Sequence, residues 1–591
     1  MKKFLVSVYV CLGSSAVFSL INVVFRADIS VLAFPFSALF TGILSVFVLV
    51  FLLRKNDASK IVIIKKMLQY LPFVLLVAFV FRRAGALGTS YWFDLLSVLL
   101  WLVSTISAFI VHFFLEKKRL PSINSEWAEA IASEQKTSPI KRIFYEVLEW
   151  LDAFVQAAFT VALLNIFIVQ LYEIPSESMV PEFLVKDRVV VFKTASGPRF
   201  PLSDVGIPRF RSYDRGDIVV FRNPHYAKDR REEVKTFVSQ LVYTLTLTMV
   251  NLNVDADGIV KADPLVKRVC GMPGEQLMMQ DGVLYSRTSE NHEFEPVTED
   301  ALWAEWNLAS LPAETLQKIQ YLPLSEKSYQ QMLDCESQRN ALSYIDARQE
   351  ALSIAKDFST LREKLYGKDN ASTKPDLFSQ RELYTYMLFA ANEDITSRLL
   401  TLQGGTLWFE DFMTSWLNSV PEEIFSGEPF LIGGNLYTDS CFRLNLMIKL
   451  NFGRLVVRNA ELLLQGISVT KWKTDQLRVQ YLQEAEMLDL YTKLMDSRNM
   501  PIFPANSLDG SPNYIPEDCY FMMGDNRFNS LDMRHSYESE LIPLTEFDAY
   551  SAWYYSKMAP QTVSAKDILG TTVYRFWPWS RRGVPGLTGK S

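Results

Sequence analysis

Two serine hydroxyls, on Ser176 and Ser178, lie two residues apart in a segment flanked by Pro175 and Pro181. Prolines on both sides disfavour a long helix, so we expect an extended segment on which both hydroxyls face one pocket. A serine hydroxyl is a weak nucleophile unless a base accepts its proton. Alone, such a pair is more typical of an ordinary loop, so the interpretation depends on finding the base.

The base for such a serine can be a histidine, as in a Ser-His-Asp triad, or a neutral lysine. The chain has only four histidines, and His535 is the candidate among them. We interpret His535 as a surface or structural residue, since no second histidine motif accompanies it. Lys267 stands between the apolar residues Val266 and Val269, and burial among such residues favours a neutral lysine.

Short segments with the pattern of β-strands surround these residues. They contain β-branched runs or end at turns, and Asp281-Gly282 between two apolar runs predicts a hairpin. In chain order these segments are residues 187–193, 215–221, 266–275, 276–285, 520–534 and 570–579.

These segments, in this order behind an apolar N-terminal region, resemble the conserved boxes of bacterial type I signal peptidases. That family consists of membrane-bound serine proteases with a Ser/Lys dyad. The resemblance implies a mainly β catalytic domain that cleaves signal peptides from exported preproteins. It covers a minor part of the chain, so large insertions are implied as well.

The resemblance assigns roles box by box. Ser178 matches the nucleophile and Lys267 the general base, while the Ser178 backbone N–H and the Ser176 hydroxyl match the oxyanion donors. Ser530 matches the residue that orients the lysine. Asp532 and Arg534 match an ion pair near the site, which we interpret as support for the fold, because such pairs more often orient than react.

Ile174, Phe183 and Val266 match positions that line the substrate pocket in this family, although simple core packing explains each of them equally well. The family cleaves after a small-x-small motif in a peptide bound along a strand edge, where main-chain hydrogen bonds and shallow pockets supply recognition. Phe183 stands where the family commonly has leucine, so the small-residue preference can be shifted.

Three further positions depart from the family pattern. Glu182 replaces a common threonine, Phe528 replaces the usual aspartate, and Met533 replaces the usual serine. None of these changes removes a group that the resemblance makes catalytic.

The first 172 residues hold five apolar stretches that predict a multi-pass membrane region of about five helices. Four stretches reach the ~20 residues that a helix needs to cross a bilayer, whereas residues 67–81 are short and need their flanks. A cleavable signal peptide is the less favoured interpretation of the first stretch, because no clear cleavage site follows. The stretches are residues 4–25, 31–53, 67–81, 93–115 and 151–172.

The distribution of Lys and Arg predicts which side each loop occupies. With a cytoplasmic N-terminus, the inside segments carry most of the basic residues and the outside loops carry only Arg26, Arg82 and Arg83, which follows the positive-inside rule. We therefore expect the chain after residue 172 to lie on the extracytoplasmic side of the bacterial cytoplasmic membrane.

The catalytic boxes are separated by long insertions. Residues 287–512 contain helical segments at 325–366, 378–402 and 474–495, which predict a mainly α insertion with a linker at 367–375. Residues 234–252 are compatible with an interfacial helix or with strands, and residues 535–568 with a longer surface loop. We expect the catalytic domain to comprise residues 173–286 and 513–591.

Composition restricts the remaining function classes. The net charge of −6 and the absence of a basic cluster give no argument for nucleic-acid binding, and no metal-ligand spacing or cofactor motif is present. Five irregularly spaced cysteines make a disulfide framework unlikely, leaving a single bridge open. The expected partners are secretory preproteins with small-x-small sites and the lipid bilayer, with the protein-export channel as a further candidate.

Two alternative functions stay open at the level of the sequence. The first is a regulatory Ser/Lys protease that cuts one dedicated membrane substrate. The second is a catalytically inactive scaffold whose helical insertion binds partners, an interpretation that the intact Ser176, Ser178, Lys267 and Ser530 disfavour.

Overall fold

The structure is a computed structural model of the 591-residue chain. It describes residues 1–24, 28–85, 88–132, 139–226, 229–246, 250, 252–254, 261–373, 375–426 and 430–586. The end of the predicted stretch 4–25 and one residue of the predicted linker 367–375 lie outside the described residues.

Long apolar helices form the N-terminal region. Within the described residues, five are long and apolar enough to cross a membrane, at Lys2–Val24, Asp28–Arg54, Ala58–Ala84, Tyr91–Phe114 and Glu146–Phe167. The helices of this region are α1 (Lys2–Ile21), α2 (Ala33–Ser45, continued by a π-helix at Val46–Arg54), α3 (Ile61–Ala84), α4 (Tyr91–Phe114), α5 (Leu120–Ile123), α6 (Ser125–Ala132) and α7 (Pro139–Phe167).

Two of these helices differ in length from the sequence expectation. The short stretch 67–81 is the apolar centre of the 24-residue helix α3, which continues through both polar flanks. The stretch 151–172 is too long at its C-terminal end, because α7 ends at Phe167 and strand β1 (Val169–Glu173) begins two residues later. The β-branched and aromatic residues there pair with β2 (Arg188–Phe192) and so adopt the strand.

The loop after β2 attaches the sheet to the apolar helices. Phe200 lies in an aromatic cluster, with ring centroids 5.4 Å from Trp101 and 4.9 Å from Phe167. Ser203 donates a hydrogen bond of 2.8 Å to Asp94 on α4, and Arg83 on α3 donates one of 2.5 Å to the Leu202 carbonyl. The helices and the sheet are therefore joined both through the chain and through side-chain contacts.

A seven-stranded antiparallel sheet forms the centre of the β region, in the order β1-β2-β13-β3-β4-β9-β12. Both faces are covered, because on β3 the side chains of Ile218 and Val220 join one apolar cluster and those of Val219 and Phe221 another. The other strands are β3 (Ile218–Phe221), β4 (Leu265–Gly271), β9 (Cys519–Met523), β12 (Val563–Ser564) and β13 (Ile568–Trp577).

A second sheet of four strands has the order β7-β6-β5-β8. The predicted hairpin at Asp281-Gly282 is confirmed: both residues have positive φ, 53° and 79°, and join β5 to β6. A two-stranded sheet completes the β structure. These strands are β5 (Glu275–Gln280), β6 (Val283–Thr288), β7 (Glu295–Pro296), β8 (Met500–Phe503), β10 (His535–Pro543) and β11 (Trp553–Met558).

The region between β7 and β8 is mainly helical, as predicted. The segment 325–366 forms two helices with a break before Tyr344, and residues 378–384 lie outside the helices that were expected to include them. Four further helices of this region, the short α9 and α10 and the longer α15 and α16, were not predicted. The helices from α8 on are α8 (Arg230–Leu245), α9 (Asp300–Trp303), α10 (Ala313–Leu316), α11 (Glu326–Ala341), α12 (Tyr344–Tyr366), α13 (Thr385–Ala390), α14 (Asn392–Thr401), α15 (Gly405–Thr414), α16 (Leu436–Leu464) and α17 (Gln476–Arg498).

Two open expectations are resolved by these elements. Residues 234–245 are helical within α8, so strands are excluded for that part of 234–252. The expectation of a surface loop at 535–568 is wrong, because β10 and β11 pair and Leu544, Ala552 and Tyr554 are buried in the core of the helical insertion. All five cysteines are free.

Candidate active site

The residues that connect β1 to β2 form a compact turn, which we call the catalytic loop (residues 174–187). Hydrogen bonds of 2.8 Å join its ends, from the Ile174 N–H to the Asp187 carbonyl and from the Lys186 N–H to the Ile174 carbonyl. The backbone at Ser176 and Ser178 is bent rather than extended, which differs from the sequence expectation. The two hydroxyls nevertheless face each other, with their oxygens 3.4 Å apart.

Lys267 lies on β4 and reaches the catalytic loop. Its Nζ is 2.5 Å from the Ser178 Oγ, and the two residues are 3% and 9% exposed. Val219 is the cross-strand neighbour of Lys267, and Val269 lies two residues along the same face. Val266 points to the opposite face, so only one of the two valines flanking the lysine in sequence shares its side of the sheet.

The surroundings of Lys267 favour its neutral form. Burial lowers the pKa of Lys267 to about 8, against an ordinary value of 10.5, because a charged ammonium loses its hydration. The carboxylates of Asp532 and Asp525 raise this pKa and Arg534 lowers it, but burial has the largest effect. A substantial neutral fraction at mild alkaline pH can accept the proton of Ser178.

Asp532 and Arg534 form a buried, two-pronged ion pair beside the lysine. Arg534 donates to both carboxylate oxygens, at 2.9 and 3.0 Å, and the Gly524 N–H donates to Asp532 at 2.9 Å. Burial raises the pKa of Asp532, but Arg534 more than offsets this and holds that pKa well below its usual range. The pair therefore stays charged and fixes the turn that follows β9.

Ser530 lies in the same turn, close to Ser178. A side chain on Gly524 would approach both the Ser530 hydroxyl and the Ser178 carbonyl to less than 2.5 Å, so glycine is required at this position. The Ser530 Oγ is buried and has no hydrogen-bond partner among the residues that the structure describes. Its predicted contact to Lys267 is therefore not formed, although the hydroxyl is adjacent to the site.

His535 does not contact the serine pair. Its Nε2 lies 3.1 Å from the Asp496 carbonyl at the end of α17, and its Nδ1 is 3.9 Å from Asp532. Burial is the largest cause that lowers the pKa of His535, followed by the charge of Arg534. This placement agrees with the interpretation of His535 as a structural residue.

The three predicted pocket residues lie together in one apolar cluster under the catalytic loop. Ile174 and Phe183 are buried, and Val266 is half-buried at its margin. The cluster also contains Met179 and the buried residues Ile218 and Val220 of β3. The structure thus brings the three residues together, and their contact with a substrate stays a prediction.

Two buried ion pairs near the site were missed by the sequence analysis. Arg268 donates to both oxygens of Asp525, at 2.8 and 2.6 Å, and thereby joins β4 to the residue after Gly524. Arg527 donates to both oxygens of Asp300, at 2.9 and 2.6 Å. Opposite charges in two neighbouring strand segments could have suggested the first pair, whereas no sequence signal marked Asp300, which lies on α9.

The departures from the family pattern are explained by local packing. Phe528 packs edge-to-face on Trp306, with centroids 5.2 Å apart, so Trp306 supplies the partner for this aromatic residue. Met533 is fully buried in the sheet core. Glu182 lies 3.6 Å from Arg575 and 3.9 Å from Arg268, so it takes part in a charged network that a threonine could not complete.

Comparison with known proteins adds independent information to this geometry. The sequence matches the family described as "Signal peptidase, peptidase S26" at residues 147–328 and 455–577, slightly more than half of the chain. The matched residues include the catalytic loop, β4 and the turn after β9.

Among curated proteins, the chain is 30% identical over 126 residues to Signal peptidase I of Buchnera aphidicola subsp. Schizaphis graminum, covering 21% of this chain and 38% of the relative. It is 37% identical over 78 residues to Signal peptidase I of Pseudomonas aeruginosa, covering 13% and 28%. The corresponding values for Signal peptidase I of Pseudomonas fluorescens are 31% over 134 residues, 22% and 46%.

The matched part of each of these relatives is thus less than half of its length. The family match is broader, covers more than half of this chain, and contains both members of the close serine–lysine pair. On this evidence the chain belongs to the signal peptidase family.

Proposed function

We propose that the protein is a membrane-bound serine endopeptidase that cleaves N-terminal signal peptides from exported preproteins. The observation that carries the proposal is the 2.5 Å contact between the Ser178 Oγ and the Nζ of buried Lys267. The nearby carboxylates of Asp532 and Asp525 are already paired with Arg534 and Arg268, which leaves the lysine to act on the serine.

The proposed reaction uses only groups of this chain. Ser178 Oγ attacks the scissile carbonyl as its proton passes to neutral Lys267, and the resulting ammonium then gives that proton to the leaving amine. An ester links the N-terminal fragment to Ser178. Lys267, neutral again, takes a proton from water, which attacks the ester and releases the new carboxyl end while the proton returns to the serine oxygen.

The tetrahedral oxyanion needs donors that are free before the substrate arrives. Among the described residues, none accepts a hydrogen bond from the Ser178 backbone N–H, and the Ser176 hydroxyl lies 3.4 Å from the Ser178 Oγ. We assign these two groups to the oxyanion. Ser530, Asp532 and Arg534 support the turn that faces them.

The substrate class rests on the relatives, which are called Signal peptidase I. We infer that this chain also binds an extended peptide with small residues on either side of a central one, near Ile174, Phe183 and Val266. These three residues belong to one apolar cluster, of which Val266 is a half-buried member.

The membrane placement is part of the same proposal. Five helices are long and apolar enough to span within the described residues, and the charge asymmetry of their loops favours a cytoplasmic N-terminus. The catalytic domain, divided into residues 173–286 and 513–591, then lies on the extracytoplasmic side of the bacterial cytoplasmic membrane. The helical insertion 287–512 is a candidate for docking on the protein-export channel.

Cleavage of a secretory precursor by the purified full-length protein in liposomes tests this proposal. We expect a single cut after a small-x-small motif, mapped by mass spectrometry, and loss of the cut in Ser178→Ala. Cleavage of only one of several unrelated precursors would instead support a dedicated membrane substrate. An intact precursor after long incubation would overturn the proposal in favour of an inactive scaffold.

A further inference from the structure

A segment between β7 and α11 crosses the catalytic loop, and we call this segment the strap (residues 299–321). It contacts Glu177, the residue between the two active-site serines. The Glu177 carboxylate accepts a short hydrogen bond from the Gln320 backbone N–H and one of 3.2 Å from the Tyr321 N–H. Glu177 is only 7% exposed, so these two N–H groups replace most of its hydration.

The strap is also bound to the turn after β9. The Glu305 N–H donates to the Asp525 carbonyl at 2.7 Å, and the Arg527 N–H donates to the Glu305 carbonyl at 3.2 Å. The buried ion pair between Asp300 of the strap and Arg527 of the turn joins the same two segments. This turn also carries Asn526, which contacts Ser178. The strap is therefore bound close to Asn526.

Asn526 holds the catalytic loop from the other side. Its backbone N–H donates to the Ser178 carbonyl at 3.2 Å, and its side-chain amide donates to the Glu177 carbonyl at 3.0 Å. Apolar contact adds to this hold, since Leu308 of the strap packs with Val180 and Leu184 of the catalytic loop. The strap, Asn526 and the catalytic loop therefore form one closed set of contacts around residues 177 and 178.

The charge of Glu177 makes this arrangement specific. A buried carboxylate is costly unless donors replace the water it loses, and here backbone groups of the strap supply those donors. If the strap moved away, Glu177 would be left buried and unpaired or would have to turn outward, and the backbone of its neighbours would follow.

We propose that Glu177 is a positioning residue, through which the strap fixes Ser176 and Ser178 relative to Lys267. This inference deepens the proposed function and rests on it. It gives the strap a role in the reaction that does not require any external partner, because the strap supports the backbone on one side of Ser178.

Kinetics and amide hydrogen exchange of the full-length protein in detergent test the inference together. In Glu177→Ala we expect kcat for precursor cleavage to fall about ten-fold, the worth of one charge-assisted hydrogen bond, with KM nearly unchanged. The amide protons of Gln320 and Tyr321 should exchange faster in the same variant. Glu177→Gln keeps an acceptor oxygen and should restore most of both properties.

Glu314→Gln is the matched control, because it removes an acidic charge from the same strap at a side chain outside the contacts described above. It should leave kcat and exchange as in the wild type. Gln320→Pro removes one of the two N–H donors from the strap side, and combining it with Glu177→Ala should add little to the loss from either change alone.

Wild-type kcat in Glu177→Ala, or unchanged exchange at residues 320 and 321, would overturn the inference. An equal loss of kcat in Glu177→Gln and Glu314→Gln would also overturn it, since the effect would then follow charge and not the contact. A wild-type protein that cleaves no precursor would refute the proposed function instead, while the exchange measurement would still decide whether Glu177 holds the strap.

Discussion

Within the described residues, a lysine contacts a serine in the β region and again in the helical region between β7 and β8. The Lys267 Nζ lies 2.5 Å from the Ser178 Oγ, and the Nζ of Lys449 on α16 lies 3.4 Å from the Ser415 Oγ. Lys449 also forms a 2.5 Å ion pair with Asp548, and both side chains are at most 1% exposed. The same two residue types are thus in contact at both places, but only one lysine has a carboxylate of its own.

The carboxylate decides what each lysine can do. Burial lowers the pKa of Lys449 and the Asp548 charge opposes this, while Asp548 keeps a pKa below its usual value because Lys449 outweighs its burial. Ser415 and Asn445 donate to the same carboxylate at 2.5 and 2.8 Å. A lysine held in this way stabilises a core, whereas Lys267 contacts its serine and forms no ion pair of its own within the described residues, which supports the proposed role as a base.

The strongest test of this comparison removes the Ser178 hydroxyl and the Ser415 hydroxyl in separate variants. Ser178→Ala and Lys267→Ala should each lower precursor cleavage by at least about 1,000-fold, as expected when a nucleophile or its base is lost. Ser415→Ala should cleave at the wild-type rate, as measured by precursor processing in liposomes. Comparable losses in Ser415→Ala and Ser178→Ala would erase the distinction between the two pairs.

Removal of the second lysine should affect folding and not chemistry. Lys449→Met leaves Asp548 buried without its cation, and breaking such a pair typically costs about 3–5 kcal/mol. We expect a clearly lower thermal unfolding midpoint by fluorescence, with normal cleavage per folded molecule. Lys449→Met combined with Asp548→Leu should recover much of the midpoint, and failure to recover would mean that the ion pair is not the cause.

The oxyanion assignment gives the next effect in size. Ser176→Ala should lower kcat by about 100-fold or more, since one oxyanion donor is typically worth ~3–4 kcal/mol of transition-state stabilisation. Ser176→Thr keeps the hydroxyl and serves as the control. A wild-type kcat in Ser176→Ala would remove this serine from the site and leave the Ser178 N–H as the assigned donor.

The pH dependence of kcat/KM is the smallest of the expected effects, and it tests the Lys267 side of the comparison. Because the neutral lysine is the active form, kcat/KM should rise about ten-fold per pH unit below the Lys267 pKa of about 8 and level off above it. Initial rates between pH 6 and pH 10, about two units on either side of that pKa, measure the rise and the plateau of kcat/KM. A flat profile across this range would show that Lys267 is not the titrating base.

Much of the β region could be predicted from the sequence, because its strands carry a simple pattern. The run Ile218–Phe221 is apolar at each position, and both faces of that strand are buried. The Asp281-Gly282 hairpin was predicted from turn chemistry and is confirmed. The bent backbone at Ser176 and Ser178 was not predicted, because it is set by contacts with residues more than 300 positions away, such as Asn526.

The helical insertion was harder to predict for a physical reason. Helix α16 buries several polar residues, including Asn445, Lys449 and Asn459, which interrupt the apolar period that marks a core helix. Their partners lie on other helices and on the β10–β11 connection, so nothing local identifies them as core residues. The ion pair of Asp300 with Arg527 and the contact of Glu177 with the strap escaped prediction for the same reason.

The short junction between α7 and β1 has a mechanical consequence. Only Ile168 separates the last helical residue from the first strand residue, and β1 is an edge strand of the seven-stranded sheet. The contacts of Phe200 and Ser203 with the apolar helices give the sheet a second fixed point. Two separate attachments restrict rotation of the sheet about either one, so they limit how far Ser178 can move relative to the helices.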